Sequence, residues 1–535
     1  MTGERCDLLI AGGGLGGVAA ALAAARVGRR ALLVAEHDWL GGQLTTQGVP
    51  PDEHRWIEVL GATASYRRLR TAIREHYRAH APLTDEARRD PHLNPGNAWV
   101  SRLAHEPRVA AAVIDALIAP HEATGVLTVW RGARVIDLQR DGERVTAARV
   151  LRHDGTIVDL EPRFVLDATE TGDLLPMARA PYVVGAESRD ETGEPHAPDG
   201  PARPLNQQSI TVAFAVERRP GEDHTIDRPA DYERWRSYRP DFWPGPLLGF
   251  RQLDPMTMQP LDGRLYDTSM DALQFDRPIG RSNRDGYVLW SYRRIVAQRH
   301  RSVPTPEVSM VIWPQNDYWL GPIVDVDEDA RARHVAEAKA LSRSLLYWLQ
   351  TEAPRPDGGA GHPELRLHAE TFGTVDGLAI EPYVREARRI RARVTVREQD
   401  LAHAVRGDRG AVEFGDSVGI GMYRIDLHPS TGGDSYIDLT TCPFQIPLGA
   451  LVPQSLENLL PACKNIGTTH ITNGAYRLHP VEWNVGEVAA LLADRCLARR
   501  LTPQALHEDA AEVADFQTEL VRHGIELAWP TIEAY

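Results

Sequence analysis

Apolar residues over the first forty positions fall into two unbroken runs, Leu8-Leu9-Ile10-Ala11 and Ala31-Leu32-Leu33-Val34-Ala35, separated by glycines and an alanine-rich stretch ending at Gly28. Short continuous apolar runs suit strands buried on both faces, and alanine is the best helix former. The pattern predicts strand, glycine turn, helix, strand. Residues 52–122 read as mostly helical, broken by proline-rich loops near Pro82 and Pro91 to Pro95. Three strand-like runs follow, Leu127 to Leu138, Arg144 to Arg152 and Thr156 to Leu160. Asp141-Gly142 and Asp154-Gly155 lie between them as hairpin turns. A fourth run, Arg163 to Asp167, leads into Ala168-Thr169-Glu170-Thr171-Gly172-Asp173.

Residues 186–414 break this regularity with loops rich in Pro, Trp and Tyr, followed by a helix from about Asp327 to Gln350. The Gly358-Gly359-Ala360-Gly361 cluster lacks a preceding strand and reads as a loop. Near the end, Asn458 to Ala462 reads as a short buried strand, and His479-Pro480 opens an apolar helix to about Ala498. The expected fold class is α/β. It comprises a Rossmann-like nucleotide domain in two parts, 1–185 (with the helical excursion 52–122) and 415–505. An inserted α+β substrate or cap domain spans 186–414, and a helical tail 506–535.

The first turn carries recognisable chemistry. In Gly12-Gly13-Gly14-Leu15-Gly16-Gly17, Gly12 permits a tight turn and Gly14 lets backbone approach a pyrophosphate. Gly17 allows close helix–strand packing, and the helix N-terminus faces the phosphate charge. Glu36 ends the second strand nineteen residues past Gly17, placed to accept hydrogen bonds from an adenosine ribose. Strand, helix and acid in register point to dinucleotide binding. In Gly41 to Gly48, the small or hydrogen-bonding residues Gly42, Gln43 and Thr45 let backbone lie against a planar cofactor.

Composition narrows the classes. The chain of 535 residues is 42% hydrophobic and 25% charged, without a run of eighteen apolar residues, so no membrane span is expected. The formal charge of −14 disfavours nucleic acid as a main partner. Cys6, Cys442, Cys463 and Cys496 are widely spaced without a CxxC, so neither a disulfide framework nor a zinc site is suggested. The apolar N-terminal stretch is too short and glycine-rich for a signal peptide, and a cytoplasmic address is expected.

Further segments carry a family resemblance: LDATETGDLL (166–175), YVVGAES (182–188), WPQNDYW (313–319), EPYVREARRI (381–390), DLHPSTGG (426–433) and NLLPACKNIGTTHITNGAYRLHPVEWNVGE (458–487). With GGGLGG and GGQLTTQGVPPDEH (41–54), the chain resembles bacterial FAD-dependent oxidoreductases with a glutathione-reductase-like FAD domain. Tricarballylate-dehydrogenase and fumarate-reductase-like flavoproteins are more distant relatives. The resemblance implies FAD, bound covalently or not, with the strand near Val135 passing the adenine. Ala168, Thr169 and Asp173 would lie in the second cofactor turn. Asn465, Asn484, Val485 and Gly486 belong to the C-terminal motif under the isoalloxazine. The chain departs from the pattern at Ala462-Cys463, where related domains commonly read Ala-Gly.

A flavin that accepts hydride needs a base for the accompanying O–H or N–H proton. Histidine titrates near neutrality, and His428, His470 and His479 all lie in C-terminal motifs. Each is a candidate base or a structural histidine; Tyr476 is a candidate partner or a buried, satisfied tyrosine. Arg385 would bind a carboxylate or stabilise an oxyanion. At helical spacing it would share a face with Arg388 or Arg389, or pair with Glu381 four residues earlier. Lys464 either neutralises phosphate or is a surface lysine, and Cys463 is a small buried residue. Asp52-Glu53-His54 lacks ligand spacing, so no metal is expected.

The leading functional expectation is an FAD-dependent dehydrogenase or oxidase, probing a C–H next to O, N or an activated carbon of a small polar molecule in specialised metabolism. A flavin monooxygenase using external NAD(P)H is the alternative, and a non-catalytic or tRNA-modifying flavoprotein a different class.

Overall fold

A computed structural model of the chain describes residues 4–266 and 287–532; parts of the expected inserted domain (267–286) and tail (533–535) lie outside the described residues. The central sheet is built from β1 (Glu4–Ala11), β2 (Ala31–Ala35), β3 (Leu127–Arg131), β4 (Arg134–Asp141), β5 (Arg144–Leu151) and β6 (Ile157–Asp167). Its parallel part runs in the order β3-β2-β1-β6, and β6-β5-β4 continues it as an antiparallel meander. Helix α1 (Leu15–Arg26) crosses from β1 to β2. The excursion that follows contains α2 (Ala64–His80), α3 (Asp85–Arg89) and α4 (Pro107–Ala123), as the sequence predicts.

Two strand boundaries differ from the sequence reading. The run Leu127 to Leu138 is two strands, divided at Gly132, whose φ of 61° turns the chain from the parallel ladder into the meander. The runs Thr156 to Leu160 and Arg163 to Asp167 are instead one strand, β6. Pro162 suggests an interruption there because it has no N–H to donate. In the fold it falls between two partners: β5 pairs only as far as Leu160, and the strand Leu459–Pro461 begins at Val165. The long strand thus forks, meander on its first half and C-terminal strand on its second.

The C-terminal segment is joined to the N-terminal unit by very close packing. A Cβ on Gly16 would lie 1.8 Å from the Ala462 carbonyl oxygen, and one on Gly486 would lie 2.0 Å from that of Gly16. Only residues without a Cβ permit this approach between α1, the strand end and the helix His479–Arg499. Leu15, Val18, Val485 and Val488 are buried in the shared core.

A second core lies in the middle of the chain. A four-stranded sheet, in the order Arg294–Val296, Val308–Val311, Phe214–Arg218, Leu365–Leu367, is accompanied by the helix Glu328–Thr351. That helix starts near the expected position, where Asp327 caps it by accepting the Ala330 N–H at 2.7 Å. Trp235, Trp313 and Trp348 dominate the apolar packing. The tail forms helices Pro503–Glu508 and Ala510–Arg522. Among the described residues no helix is long and apolar enough to cross a membrane.

Substituting Gly486 by alanine should lower unfolding free energy by roughly 1–3 kcal/mol, the usual cost of overpacking. A urea denaturation curve with an unchanged midpoint would remove the close approach as a stability determinant.

Candidate functional site

A cavity of about 1040 Å³ opens at the carboxyl ends of β1, β2 and β6. Backbone from Gly12, Gly13 and Gly14 lines it, with φ of 108° at Gly12, where a Cβ would meet the Ala168 carbonyl oxygen at 2.0 Å. Glu36 faces the same space, and burial, then Glu381 and Asp173, push its carboxyl pKa up. Ala133, Val135, Pro176 and Met177 form an apolar wall, and Gly42, Ala168, Thr169 and Asp173 complete the near side. The opposite wall is the helix Glu328–Thr351, through Arg331, Ala332, Val335, Ala336 and Lys339. These residues fit an adenine dinucleotide: N–H groups at the α1 N-terminus for the diphosphate, Glu36 for the ribose and an apolar slot at Val135 for the base.

Seven of the expected cofactor residues do not line this cavity. Gly17 packs α1 against the turn, its Cβ position 1.9 Å from the Gly12 oxygen. Gln43 donates to the Arg477 carbonyl at 3.0 Å and to Glu482; Thr45 donates to the Leu40 carbonyl at 2.9 Å. Asn465 donates to the Asp167 carbonyl at 2.9 Å, tying the C-terminal turn to β6. Asn484 donates to the Val418 carbonyl at 3.2 Å, while Val485 and Gly486 serve the helix packing.

Beyond Gln43, six side chains close a ring. His428 donates from Nδ1 to Asp317 at 2.6 Å, an assignment fixed by the carboxylate partner, and its Nε2 stands 3.6 Å from Asp426. Arg385 pairs with the other oxygen of Asp317 at 3.0 Å and lies over the Tyr383 ring at 4.7 Å. Arg477 donates to the Tyr383 hydroxyl and pairs with Asp426 at 3.3 Å. Burial opposes ionisation of Asp317, but Arg385 and His428 hold its carboxyl below the usual range. Asp426 is likewise held low against burial by His428 and Arg477. Buried polar atoms without a protein partner gather here: Nε of Arg385 and of Arg477, and Oδ1 of Asn473.

The Glu381–Arg389 segment is not helical. It contributes the short strands Tyr383–Val384 and Arg389–Ile390, so Arg385, Arg388 and Arg389 do not share a helix face. Arg388 clamps Asp173 at 2.8 Å and Asp325 at 2.6 Å, while Arg389 pairs with Glu386 at 2.6 Å and Glu187 at 2.9 Å. Glu381 pairs with His37 at 2.9 Å rather than with Arg385. Extended backbone spreads consecutive arginines to opposite faces, which explains why they reach different carboxylates.

The other candidate catalytic residues are tied into the interior. His470 Nδ1 lies 2.9 Å from Glu386, which raises the imidazole pKa against burial and is itself held at about 2. His479 accepts the Asp52 N–H at 3.1 Å, and burial lowers its pKa to about 4, leaving it neutral. Tyr476 donates to the Gln445 carbonyl at 2.7 Å and stacks on Phe444. Lys464 is no surface residue; it is fully buried and paired with Glu170. Asp52, Glu53 and His54 diverge, to Arg293 at 3.2 Å, Arg70 at 2.8 Å and the Gly61 carbonyl at 3.1 Å respectively. Among the described residues no group of three or more His, Cys, Asp or Glu is placed to hold a metal. Asp317, Asp426, Tyr383, Arg477 and Glu482 were not singled out by sequence reasoning. All but Tyr383 are charged residues inside the motifs WPQNDYW, DLHPSTGG and NLLPACKNIGTTHITNGAYRLHPVEWNVGE, which is the signal that could have found them.

Glu36→Ala should weaken FAD binding about tenfold, the value of one charge-assisted hydrogen bond; equal affinity in a fluorescence titration would clear Glu36 of ribose recognition. The unfolded chain protonates His479 near 6.5, whereas the folded form refuses that proton until about pH 4. Stability should therefore fall as pH drops from about 6.5 to 4, by roughly 3 kcal/mol from this group. In His479→Gln, urea midpoints should fall less steeply over the same window.

Among solved structures, a myxobacterial chondrochloren halogenase aligns over 41% of this chain and 46% of its own, at 19% identity and a TM-score of 0.24. The flavin-dependent monooxygenase PieE, solved with FAD and substrate, aligns over 74% of this chain and 52% of its own, at 15% identity and a TM-score of 0.31.

 A 3-ketosteroid dehydrogenase from Rhodococcus jostii RHA1 aligns over 31% of this chain and 45% of its own, at 17% identity and a TM-score of 0.20. Each match thus spans about half of the solved chain. No curated protein matches the sequence. The model of the family described as FAD dependent oxidoreductase matches residues 7–520, nearly the whole chain. The chain belongs to the FAD-dependent oxidoreductase family, binds FAD and is a flavin enzyme.

Proposed function

We propose that this enzyme is a dehydrogenase or oxidase that takes a hydride from a C–H next to O, N or an activated carbon of a small polar molecule. His428 is its base. The observation that carries this reading is the Asp317–His428 pair, 2.6 Å long, with Asp317 anchored by Arg385 at 3.0 Å. When bound, FAD supplies the hydride acceptor at its flavin N5. His428 Nε2, 3.6 Å from Asp426, takes the proton from the substrate O–H or N–H, and Asp317 accepts the Nδ1–H of the neutral ring. Arg385 keeps Asp317 ionised, and the free Nε atoms of Arg385 and Arg477 offer hydrogen bonds to a substrate oxygen.

Exposure separates the histidines: the His428 side chain keeps 19% of its surface, against 7% for His470. His479 is fully buried. Of these three histidines, His428 combines a carboxylate partner with the greatest exposure. Two chain neighbours tie the ring towards the dinucleotide cavity: Gln43, which follows the cavity residue Gly42, donates to the Arg477 carbonyl at 3.0 Å, and the cavity residue Glu381 stands two positions before Tyr383. A glutathione-reductase-type FAD domain, made from 1–185 and 415–505 around an inserted 186–414 cap, is supported by the β6-β5-β4 meander and the return of Leu459–Pro461 to β6.

His428→Ala and Asp317→Asn should retain the yellow flavin and slow its anaerobic reduction by about 10²–10⁴-fold, the range of general-base catalysis. Stopped-flow bleaching with amines, amino acids, hydroxy acids and sugars would read this. Unchanged rates would remove His428 from the chemistry, and rapid bleaching by NADPH or NADH would move the enzyme to the monooxygenases.

A further inference from the structure

The N-terminus of α1 already faces a protein carboxylate. Glu482, fully buried, accepts the Gly16 N–H at 3.1 Å and a hydrogen bond from Gln43. Its Oε1 lies 3.3 Å from where a Gly14 Cβ would stand, and Glu170 Oε2 lies 3.7 Å from that point and 3.6 Å from the matching point on Gly42. Both carboxylates therefore border the glycine backbone that cradles a diphosphate. One cation, Lys464, is paired with Glu170 and has no exposed surface. Gln43, itself buried, keeps an unpartnered Oε1 beside Glu482.

The cations that line the cavity are engaged elsewhere or stand on other walls: His37 pairs with Glu381, Lys339 with Asp376 and Arg388 with Asp173 and Asp325, while Arg134 belongs to β4 and Arg331 to the helix Glu328–Thr351. Cys463 contributes a thiol that burial holds neutral, and the helix start contributes His479, neutral as described. Glu381 adds a further carboxylate, already shared between His37 and Thr46. Burial, reinforced by Glu482, raises the Glu170 carboxyl pKa despite Lys464. A diphosphate brings two more negative charges to a place where two carboxylates share one lysine. Like charges in a buried site cannot all remain ionised, and the least costly relief is protonation of a carboxyl.

We propose that FAD binding by this enzyme is coupled to protonation: one carboxyl of the Glu170–Glu482 pair takes up a proton from solvent when the diphosphate docks at α1. Lys464 and the second carboxylate remain an ion pair, and the neutral carboxyl donates its new O–H to a neighbouring oxygen. The inference rests on FAD binding by the family and is independent of the His428 assignment. Glu170 and Glu482 are positioning residues, setting how tightly the dinucleotide is held.

Calorimetric titration of the full-length protein with FAD in phosphate and in Tris at one pH reads the proton directly, because the two buffers differ in ionisation heat. About one proton should be taken up by the wild type, and FAD affinity should weaken by up to tenfold per pH unit where the carboxyl titrates. Glu482→Gln or Glu170→Gln should abolish the uptake and tighten FAD binding about tenfold at the alkaline end. If a variant fails to fold, the protonated-carboxyl stretch in an infrared difference spectrum of the wild type with and without FAD reads the same event. A buffer-independent heat, or proton uptake undiminished in both variants, would overturn the proposal.

Discussion

Everything in this molecule depends on two backbones approaching within van der Waals contact. The α1 helix and the helix His479–Arg499 meet through Gly16 and Gly486, and the end of the strand Leu459–Pro461 rests on the same glycine. A side chain at either position would hold these elements apart. Their contact brings the start of the C-terminal helix, with His479 and Glu482, beside a turn more than four hundred residues earlier in the chain. The glycines of the first turn thus have two different duties. Gly12 relieves backbone conformation at the cavity, whereas Gly16 and Gly17 make room for protein.

The second constraint is electrostatic. Arg385, Arg389, Arg477 and Lys464 are essentially removed from solvent, as are Asp317, Glu386 and Glu482. Such groups persist only when each charge finds a partner of opposite sign and good hydrogen bonds. The ring around His428 meets that requirement through two ion pairs, Asp317 with Arg385 and Asp426 with Arg477, with the imidazole standing between the two carboxylates. The neutral His479 meets it differently, by refusing its proton and accepting the Asp52 N–H. His470 and His479, which share one motif, are therefore shifted in opposite directions, and the difference lies in their neighbours.

The middle of the chain contributes one wall of the dinucleotide cavity. Arg331, Ala332 and Val335 reach it from the helix Glu328–Thr351, and Arg388 ties the turn at Asp173 to Asp325 just before that helix. A region that looks independent by its irregular composition is thus bound to the nucleotide-binding unit by a guanidinium clamp. It has its own aromatic core around Trp235 and Trp313, so it contributes both stability and a surface to the cavity.

The sequence by itself determined the local elements whose signals are short-range: the β1–α1–β2 unit with Glu36 at its end, the hairpin glycines, the helix start near Asp327 and the helix opened by Pro480. Backbone sterics, capping and hydrophobic period act within a few residues, so they can be read without the fold. It also carried the family through the order of its motifs. Only the tertiary structure decided that Pro162 sits inside a continuous strand, that Glu381–Arg389 is extended, and that Asp317 orients His428 from 111 residues away. It alone placed Glu482 at the head of α1. The physical reason is common to all four: a lost N–H, a paired arginine, a histidine tautomer and a buried carboxylate are each governed by which distant group comes within a few ångströms, and that is set by packing.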